Sequence, residues 1–347
     1  MGNDGVGNNR ERIRLILLTL CIAFCCIQII FYHTVRKQYP GATSYNFSKP
    51  YQVITQPGLL KLINTSIPTY HFNGLYIHEN KTFCSSVTNL TILVLVLSST
   101  GNLNKRQALR QTWTNGTFYR PYGTLKALFL LGIGDDADVQ NKINKESQLY
   151  GDIVQGGFID TYNNLTLKST MGFEWATDRC RNAKYVIKTD DDIVINMFKL
   201  FQNTILRESE CDFHVYCHRQ QNIVVRENTS KWYVGQDHFK GWTRYSTYCG
   251  GSFVMILNEV VPFIYASIFR TPFFWIEDVL LYGIVLDNIP GLKYKRVRGI
   301  DRNLDNTTAS IICLKEQKTN CSPFIFMTKG ALQIVTLWEN ILLLYYN

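Results

Sequence analysis

Three consecutive carboxylates, Asp190-Asp191-Asp192, close the apolar run Tyr185-Val186-Ile187-Lys188-Thr189. Like charges this close repel one another. An apolar run that stops at acids reads as a buried strand ending at its polar end. In open α/β sheets, ligands bind beyond the carboxyl ends of strands. Carboxylates placed there are hard oxygen ligands suited to Mg²⁺ or Mn²⁺, and an ion so held can bridge a diphosphate. A second reading stands beside this one: a solvated acidic turn, or a helix start capped by aspartate.

The strand carrying these acids belongs to an alternating series. Thr91–Leu97 is a continuous apolar run, as expected of a strand buried on both faces. A helix is predicted over 104–113, a second buried strand over 126–131 and a short strand over 152–154. Leu167, Met171 and Trp175 recur every four residues and predict a helix over 167–180. Met197, Leu200, Phe201 and Ile205 mark another. Strands alternating with helices predict an α/β domain with a mostly parallel sheet flanked by helices. Leu332–Tyr346 is apolar but spans 15 residues and contains Glu339, so it reads as a packing helix rather than a membrane span.

The chain has 347 residues, 46% of them apolar, which allows a sizeable core. Its net charge of +9 is scattered, with no long Lys/Arg block. That argues against nucleic acid and leaves membrane surfaces or phosphorylated small molecules as partners. Leu15–Tyr32 is an apolar segment of 18 residues, near the roughly 20 that span a bilayer. Arg10, Arg12 and Arg14 precede it; Arg36 and Lys37 follow. It reads as an uncleaved signal anchor with a cytoplasmic N-terminus, since no small-residue cleavage site follows it. The expected layout is a tail over 1–14, an anchor over 15–32, a Pro/Gly-interrupted stem over 33–85 and one lumenal domain over 86–347. Sequons at Asn46, Asn64, Asn80, Asn89, Asn115, Asn164, Asn228, Asn306 and Asn320 all follow the anchor, as a lumenal domain requires. Asn89 abuts a strand and Asn164 a helix, where either is open to shielding.

Of ten cysteines, Cys21, Cys25 and Cys26 lie in the apolar segment, as palmitoylation sites or apolar filler. Cys84, Cys180, Cys211, Cys217, Cys249, Cys313 and Cys321 lie beyond it. In an oxidising lumen some of these should pair, with connectivity unreadable and an odd one left over. Without a CxxC pair, zinc is the weaker option. A homodimer through the stem or the odd cysteine is one use for it.

Several stretches together resemble one family. They are Arg106–Trp113, Phe129–Gly132, Glu146–Val154, Phe158–Lys168, Ala183–Asn196, Tyr248–Ser252 and Glu277–Val279. In this order, over roughly 90–290, they are similar to glycosyltransferase family 31, the β-1,3-galactosyltransferase and β-1,3-N-acetylglucosaminyltransferase group. The resemblance implies a GT-A, Rossmann-like fold and a Golgi type II single-pass membrane enzyme. It implies a UDP-sugar donor, a glycan acceptor on glycoprotein or glycolipid, and an inverting transfer giving a β-1,3 linkage. The three aspartates then match the family's metal motif. Asp190 faces the nucleotide and, with Asp192, takes Mn²⁺; Asp191 lies between them. The ion offsets charge on departing UDP.

Inversion needs a base that removes the acceptor hydroxyl's proton. By resemblance Asp278 is that base, with Glu277 in support. The residues themselves leave two readings. The apolar run Phe273-Phe274-Trp275-Ile276 would raise a carboxylate pKa, or the two acids merely occupy the first turn of a helix. Arg106 and Arg110 lie four apart on one helix face and resemble the family's arginine pair near the nucleotide; a structural ion pair is the alternative for each. Lys188 reads as a cation near the diphosphate or as a partner of an aspartate. Gly250-Gly251 would allow close backbone approach to substrate, or form an ordinary turn. Tyr245 and Tyr248 either flank the acceptor sugar or pack internally, and Trp113 reads as core.

Two departures from the family pattern bear on function. The family commonly supplies a C-terminal histidine to the metal, whereas Phe324–Gly330, at roughly that place, has none. The proline usual before Cys249 is also missing from Tyr245-Ser246-Thr247-Tyr248. The leading expectation is an active hexosyltransferase, most simply a galactosyltransferase. An inactive member that binds UDP-sugar or glycan is the alternative, and a secreted adhesion protein a third.

Overall fold

Eight residues of the most apolar run, Leu90–Leu97, form strand β2 at the centre of an eight-stranded sheet. The computed structural model describes Phe72 and residues 74–134, 136–203, 213–296 and 307–346. These fall within one compact unit, Gln52–Glu208 with Phe213–Asn347. The expected anchor over 15–32, its three cysteines, Cys211, Ile205 and the sequons at Asn46, Asn64 and Asn306 lie outside the described residues. Among the described residues no helix is long and apolar enough to cross a membrane.

The strands are β1 (Tyr76–His78), β2, β3 (Leu125–Ile133), β4 (Ile153–Ile159), β5 (Ala183–Asp190), β7 (His214–Gln220), β8 (Tyr248–Leu257) and β9 (Lys293–Lys295). Their order is β1-β4-β3-β2-β5-β8-β7-β9. The core β4-β3-β2-β5 is parallel, as expected from near-continuous apolar runs. Beyond β5 the sheet reverses: β8 runs antiparallel to both β5 and β7, and β1 antiparallel to β4. The α/β expectation holds, and the sheet is mixed, with four of its seven pairings parallel.

Helices α1 (Leu103–Gln111), α2 (Ala137–Tyr150), α3 (Leu165–Arg179) and α4 (Met197–Asn203) follow in turn, then α5 (Val261–Ile268). The turn α6 (Glu277–Val279) runs directly into a π-helical stretch, Leu280–Val285. Helix α7 (Thr307–Gln317) and helix α8 (Ala331–Leu342) close the chain. Helix α3 packs on β2, β3 and β4 so closely that a Cβ on Gly172 would stand 2.5 Å from Leu130. Helix α8 is the expected packing helix. Its Trp338 stacks on Phe198 of α4 at 6.0 Å, and Tyr119 meets both rings edge-on.

One difference from expectation has a local cause. Strand β4 continues to Ile159 because Gly156 pairs with β1; glycines are poor strand formers, so the run looked short. Strand β1 is a short ordered piece near the end of the segment expected as stem. Cysteine connectivity, unreadable in the chain, is Cys84–Cys180, Cys217–Cys249 and Cys313–Cys321.

Candidate active site

The carboxyl ends of β2 and β5 lie side by side, with Leu97 in register with Asp190. Antiparallel β8 is in register with β5 only from Phe253 onward, so Gly251 and Ser252 overhang that edge. A cleft of about 930 Å³ opens there. Asp190, Asp191 and Asp192 line it together with Gly251, Glu277 and Asp278. Two acidic segments separated by nearly ninety residues thus share one cavity.

Each aspartate of the run has a different environment. Asp190 is partly exposed and pairs with Lys188 Nζ at 3.0 Å. Asp191 is buried and accepts from Ser98 Oγ at 2.7 Å, Asn102 Nδ2 at 2.9 Å and Lys105 Nζ at 3.1 Å. Its carboxylate fastens the loop after β2 and is already committed to this chain. Asp192 is pushed up to about 6, first by burial and then by Asp190. Asp192 raised in this way, beside a second carboxylate, forms with it a donor set that a divalent cation would relieve. The backbone beneath them is clamped. Trp113 Nε1 donates to the Ile193 carbonyl at 3.0 Å, and Thr328 donates to the Asp192 carbonyl through N (2.7 Å) and Oγ1 (2.9 Å). Thr328 follows strand β10 (Ile325–Met327), which pairs with β6 (Ile193–Ile195). The histidine-free segment 324–330 therefore runs directly beside the aspartates. Among the described residues, no three His, Cys, Asp or Glu side chains converge to hold an ion.

Lys188 is the hub below the cleft floor. It is fully buried, and its Nζ reaches Gly251 O at 2.9 Å, Glu277 Oε2 at 3.1 Å and Asp190. Burial works against its charge, but Asp190 and Glu277 outweigh it and raise its pKa. Glu277 has both oxygens engaged: Oε2 by Lys188, Oε1 by Ser169 Oγ and by Tyr282 OH at 3.0 Å. Burial pushes its pKa up, against the pull of Lys188. Asp278 differs. Its Oδ2 accepts the Gly251 N–H at 2.9 Å, and burial pushes it up to about 7 against the pull of Lys188. Of the two acids it is the one with an oxygen left over among the described residues and a pKa suited to proton transfer near neutrality. A Cβ on Gly251 would lie 2.1 Å from Asp278 Oδ1 and 3.0 Å from Lys188 Nζ. Only glycine fits there, for packing rather than for backbone angle. Gly250 does not line the cleft; it backs onto Gln220.

The arginine pair is absent from the cleft wall. Arg106 is buried and bidentate to Glu146, through Nε at 2.8 Å and Nη2 at 2.7 Å. Its Nη1 also holds the Ser99 carbonyl at 2.6 Å. Arg110 is bidentate to Asp152 at 2.8 Å on each bond and lies over the Tyr150 ring. The ion-pair reading describes both geometries: every nitrogen of Arg106 is hydrogen-bonded within the chain, and the remaining Nη1 of Arg110 lies against Glu146 at 2.8 Å. Trp113 is core, as expected. Tyr245 and Tyr248 do line the cleft, Tyr248 accepting from Asn222 at 2.6 Å.

Sequence reasoning missed the first turns of α3. Thr166 Oγ1 holds the Phe274 carbonyl at 3.1 Å, Ser169 holds Glu277, and Lys168 bridges Asp160 (2.6 Å) to the Ser98 carbonyl (2.7 Å). The signal was present in Leu165-Thr166-Leu167-Lys168-Ser169-Thr170: buried polar residues where an apolar helix face was expected. Also missed was the arm 221–247 between β7 and β8. Arg226 orders it by donating to the carbonyls of Val234, His238 and Phe239.

Residues 104–296 match the profile of the galactosyltransferase family. The chain belongs to the galactosyltransferase family. This places it among the glycosyltransferases and accords with the resemblance carried by its motifs. It is 32% identical to human beta-1,3-galactosyltransferase 5 over 63% of this chain and 70% of that protein. It is 30% identical to mouse beta-1,3-galactosyltransferase 1 over 74% of this chain and 77% of that protein. Among solved structures, galactosyltransferase LgtC with donor and acceptor sugar analogs overlaps 72% of this chain and 95% of its own. That overlap has 9% identity and a TM-score of 0.36, too slight a likeness to inform the site.

Proposed function

We propose that this galactosyltransferase-family member, with a GT-A type domain, is an inverting β-1,3-galactosyltransferase. It would move galactose from UDP-galactose to a glycan acceptor. The observation that carries this reading is the convergence of Asp278 with Asp190 and Asp192 in one cleft.

In the proposed reaction the acceptor hydroxyl lies against Asp278, whose carboxylate takes its proton. The hydroxyl oxygen forms a bond to the sugar C1 as the C1–oxygen bond to UDP breaks on the opposite face. The electron pair leaves with UDP. Gly251 N–H orients the Asp278 carboxylate, and Lys188 with Ser169 holds the adjoining Glu277 in place. Glu277 is thus a positioning residue, and the proton-transfer role falls to Asp278. Asp190 and Asp192 would hold Mn²⁺, which when bound supplies charge neutralisation for the diphosphate.

Disulfides Cys84–Cys180, Cys217–Cys249 and Cys313–Cys321 support an oxidising compartment, and with it a Golgi lumenal domain behind a type II anchor. The inactive, UDP-sugar-binding reading has one observation in its favour: the lack of a third convergent ligand among the described residues. A UDP-release assay with Mn²⁺, several UDP-sugars and β-linked acceptors separates the two. Turnover with UDP-galactose that vanishes in Asp192→Ala and Asp278→Asn is expected. UDP binding without turnover on any acceptor would favour the inactive reading.

A further inference from the structure

Large aromatic side chains in water are costly unless something covers them. Two stand in the cleft: Tyr162 is 47% exposed and Trp232 46% exposed. Tyr162 belongs to the turn after β4, and Trp232 sits on the arm 221–247. Trp232 Nε1 donates to Tyr162 OH at 3.0 Å, so the two rings form one surface across two loops. Lys231 Nζ lies 4.5 Å from the Trp232 ring centre and 5.3 Å from that of Tyr162, which fixes the arm further. Tyr162 meets Trp275 edge-on at 6.2 Å, and Trp275 leads through Ile276 and Glu277 to Asp278. Trp232, Tyr162 and Trp275 therefore form an aromatic strip that ends three residues before the proposed base.

The polar groups that accompany this strip suit hydroxyls. Gln220, Asn222 and Arg244 line the same cleft. Tyr245, 3% exposed, carries a buried hydroxyl with no hydrogen-bond partner among the described residues. A sugar ring presents a face of C–H bonds, which packs on aromatic rings, and an edge of hydroxyls.

We propose that Trp232 and Tyr162 form a stacking platform for a neutral oligosaccharide acceptor, gripping the sugar next to the one that receives the transfer. This rests on the transferase reading above. A uracil ring could also stack on such a surface. Ser99, Asn102 and Lys105, on the loop and helix after β2, are engaged by Asp191, whereas the platform adjoins Trp275 in the segment that carries Asp278. The base and the acceptor must share a side.

The test is isothermal titration of the full-length protein, with UDP and Mn²⁺ present, using neutral mono-, di- and tetrasaccharides ending in galactose or N-acetylglucosamine. Longer saccharides should bind more tightly than the monosaccharides. Trp232→Ala should weaken tetrasaccharide binding by about tenfold, and Trp232→Phe by no more than about threefold, with UDP affinity unchanged in both. Tetrasaccharide affinity unchanged in Trp232→Ala, an equal loss of UDP binding, or no saccharide bound by the wild-type protein would each overturn the platform. Saccharide binding without transfer would sink the transferase reading and leave the platform standing. Transfer with an unchanged acceptor KM in Trp232→Ala would do the reverse.

Discussion

Asp278 and Glu277 are chain neighbours with the same chemistry, and their surroundings separate them. Glu277 is locked by Lys188, Ser169 and Tyr282; Asp278 is held at one oxygen and titrates at about 7. A base works when unprotonated, so kcat/KM should rise with pH and level off above about 7. Asp278→Asn should reduce kcat by a factor on the order of 10² to 10⁴ with UDP affinity intact. The same shift has a stability consequence. Between the ordinary aspartate value and about 7 the folded protein keeps a proton that the unfolded chain releases, so stability falls as pH rises through that window. Asp278→Asn should therefore melt at a higher temperature than wild type at pH 8, and at nearly the same temperature near pH 4. A wild-type melting temperature that rises between pH 5 and 7 relative to the variant would contradict this. Gly251→Ala tests the packing side of the argument. Its methyl would displace the Asp278 carboxylate, so kcat should fall by at least about tenfold while the protein still folds and binds UDP.

At the scale of elements, the loop after β2 is positioned from the cleft side by Asp191 and from behind by a buried ion pair that does not line the cleft. Arg106, on α1, ties Glu146 of α2 to the Ser98 hydroxyl and the Ser99 and Thr100 carbonyls. Removing Arg106 leaves buried Glu146 with Arg110 as its remaining charge partner and strips the Ser99 and Thr100 carbonyls of their donor. Arg106→Ala should then cost about 3–5 kcal/mol of stability. UDP affinity, measured on the folded fraction at low temperature, should hardly change. A selective loss of UDP binding at undiminished stability would restore the nucleotide role that the motif resemblance implies. The arm 221–247 is the other element of consequence. It is an insertion between two antiparallel strands whose β7 and β8 are stapled by Cys217–Cys249. It brings Trp232 to a site whose chemistry is built elsewhere in the chain.

At the scale of the whole molecule, Cys84–Cys180 closes a span of 96 residues that includes β2, β3, β4 and helices α1 to α3. A loop of that length, once cross-linked, restricts the unfolded chain strongly. The paired change Cys84→Ala/Cys180→Ala should lower stability by about 2–5 kcal/mol. Neither cysteine lines the cleft, so transfer activity well below the melting temperature should persist. Thermal melts and transfer assays on the same preparation check both halves. Persistence of the fold without this bond would also show that the mixed sheet and its apolar core suffice.

The chain by itself determined what local patterning can encode. Continuous apolar runs gave β2, β3 and β5, four-residue recurrence gave α3, and the ordered motifs gave the family. It also placed three aspartates at a strand end and singled out Asp278. It hid β4's second half behind Gly156 and Gly157, and left the arm 221–247 without a reading except at its end around Tyr245, because neither has a periodicity. Only the tertiary structure decided which of the marked residues face the cleft. Arg106 and Arg110 have the spacing of a phosphate clamp, yet partners 40 and 42 residues away in the chain, Glu146 and Asp152, take their guanidinium groups. Lys168 and Ser169 look like an ordinary helix start, yet they hold Asp160 and Glu277. Residue type and spacing specify which bonds a side chain is able to make. Which bond it makes depends on what the fold brings within about 3 Å of it, and that follows from strand order, not from sequence proximity.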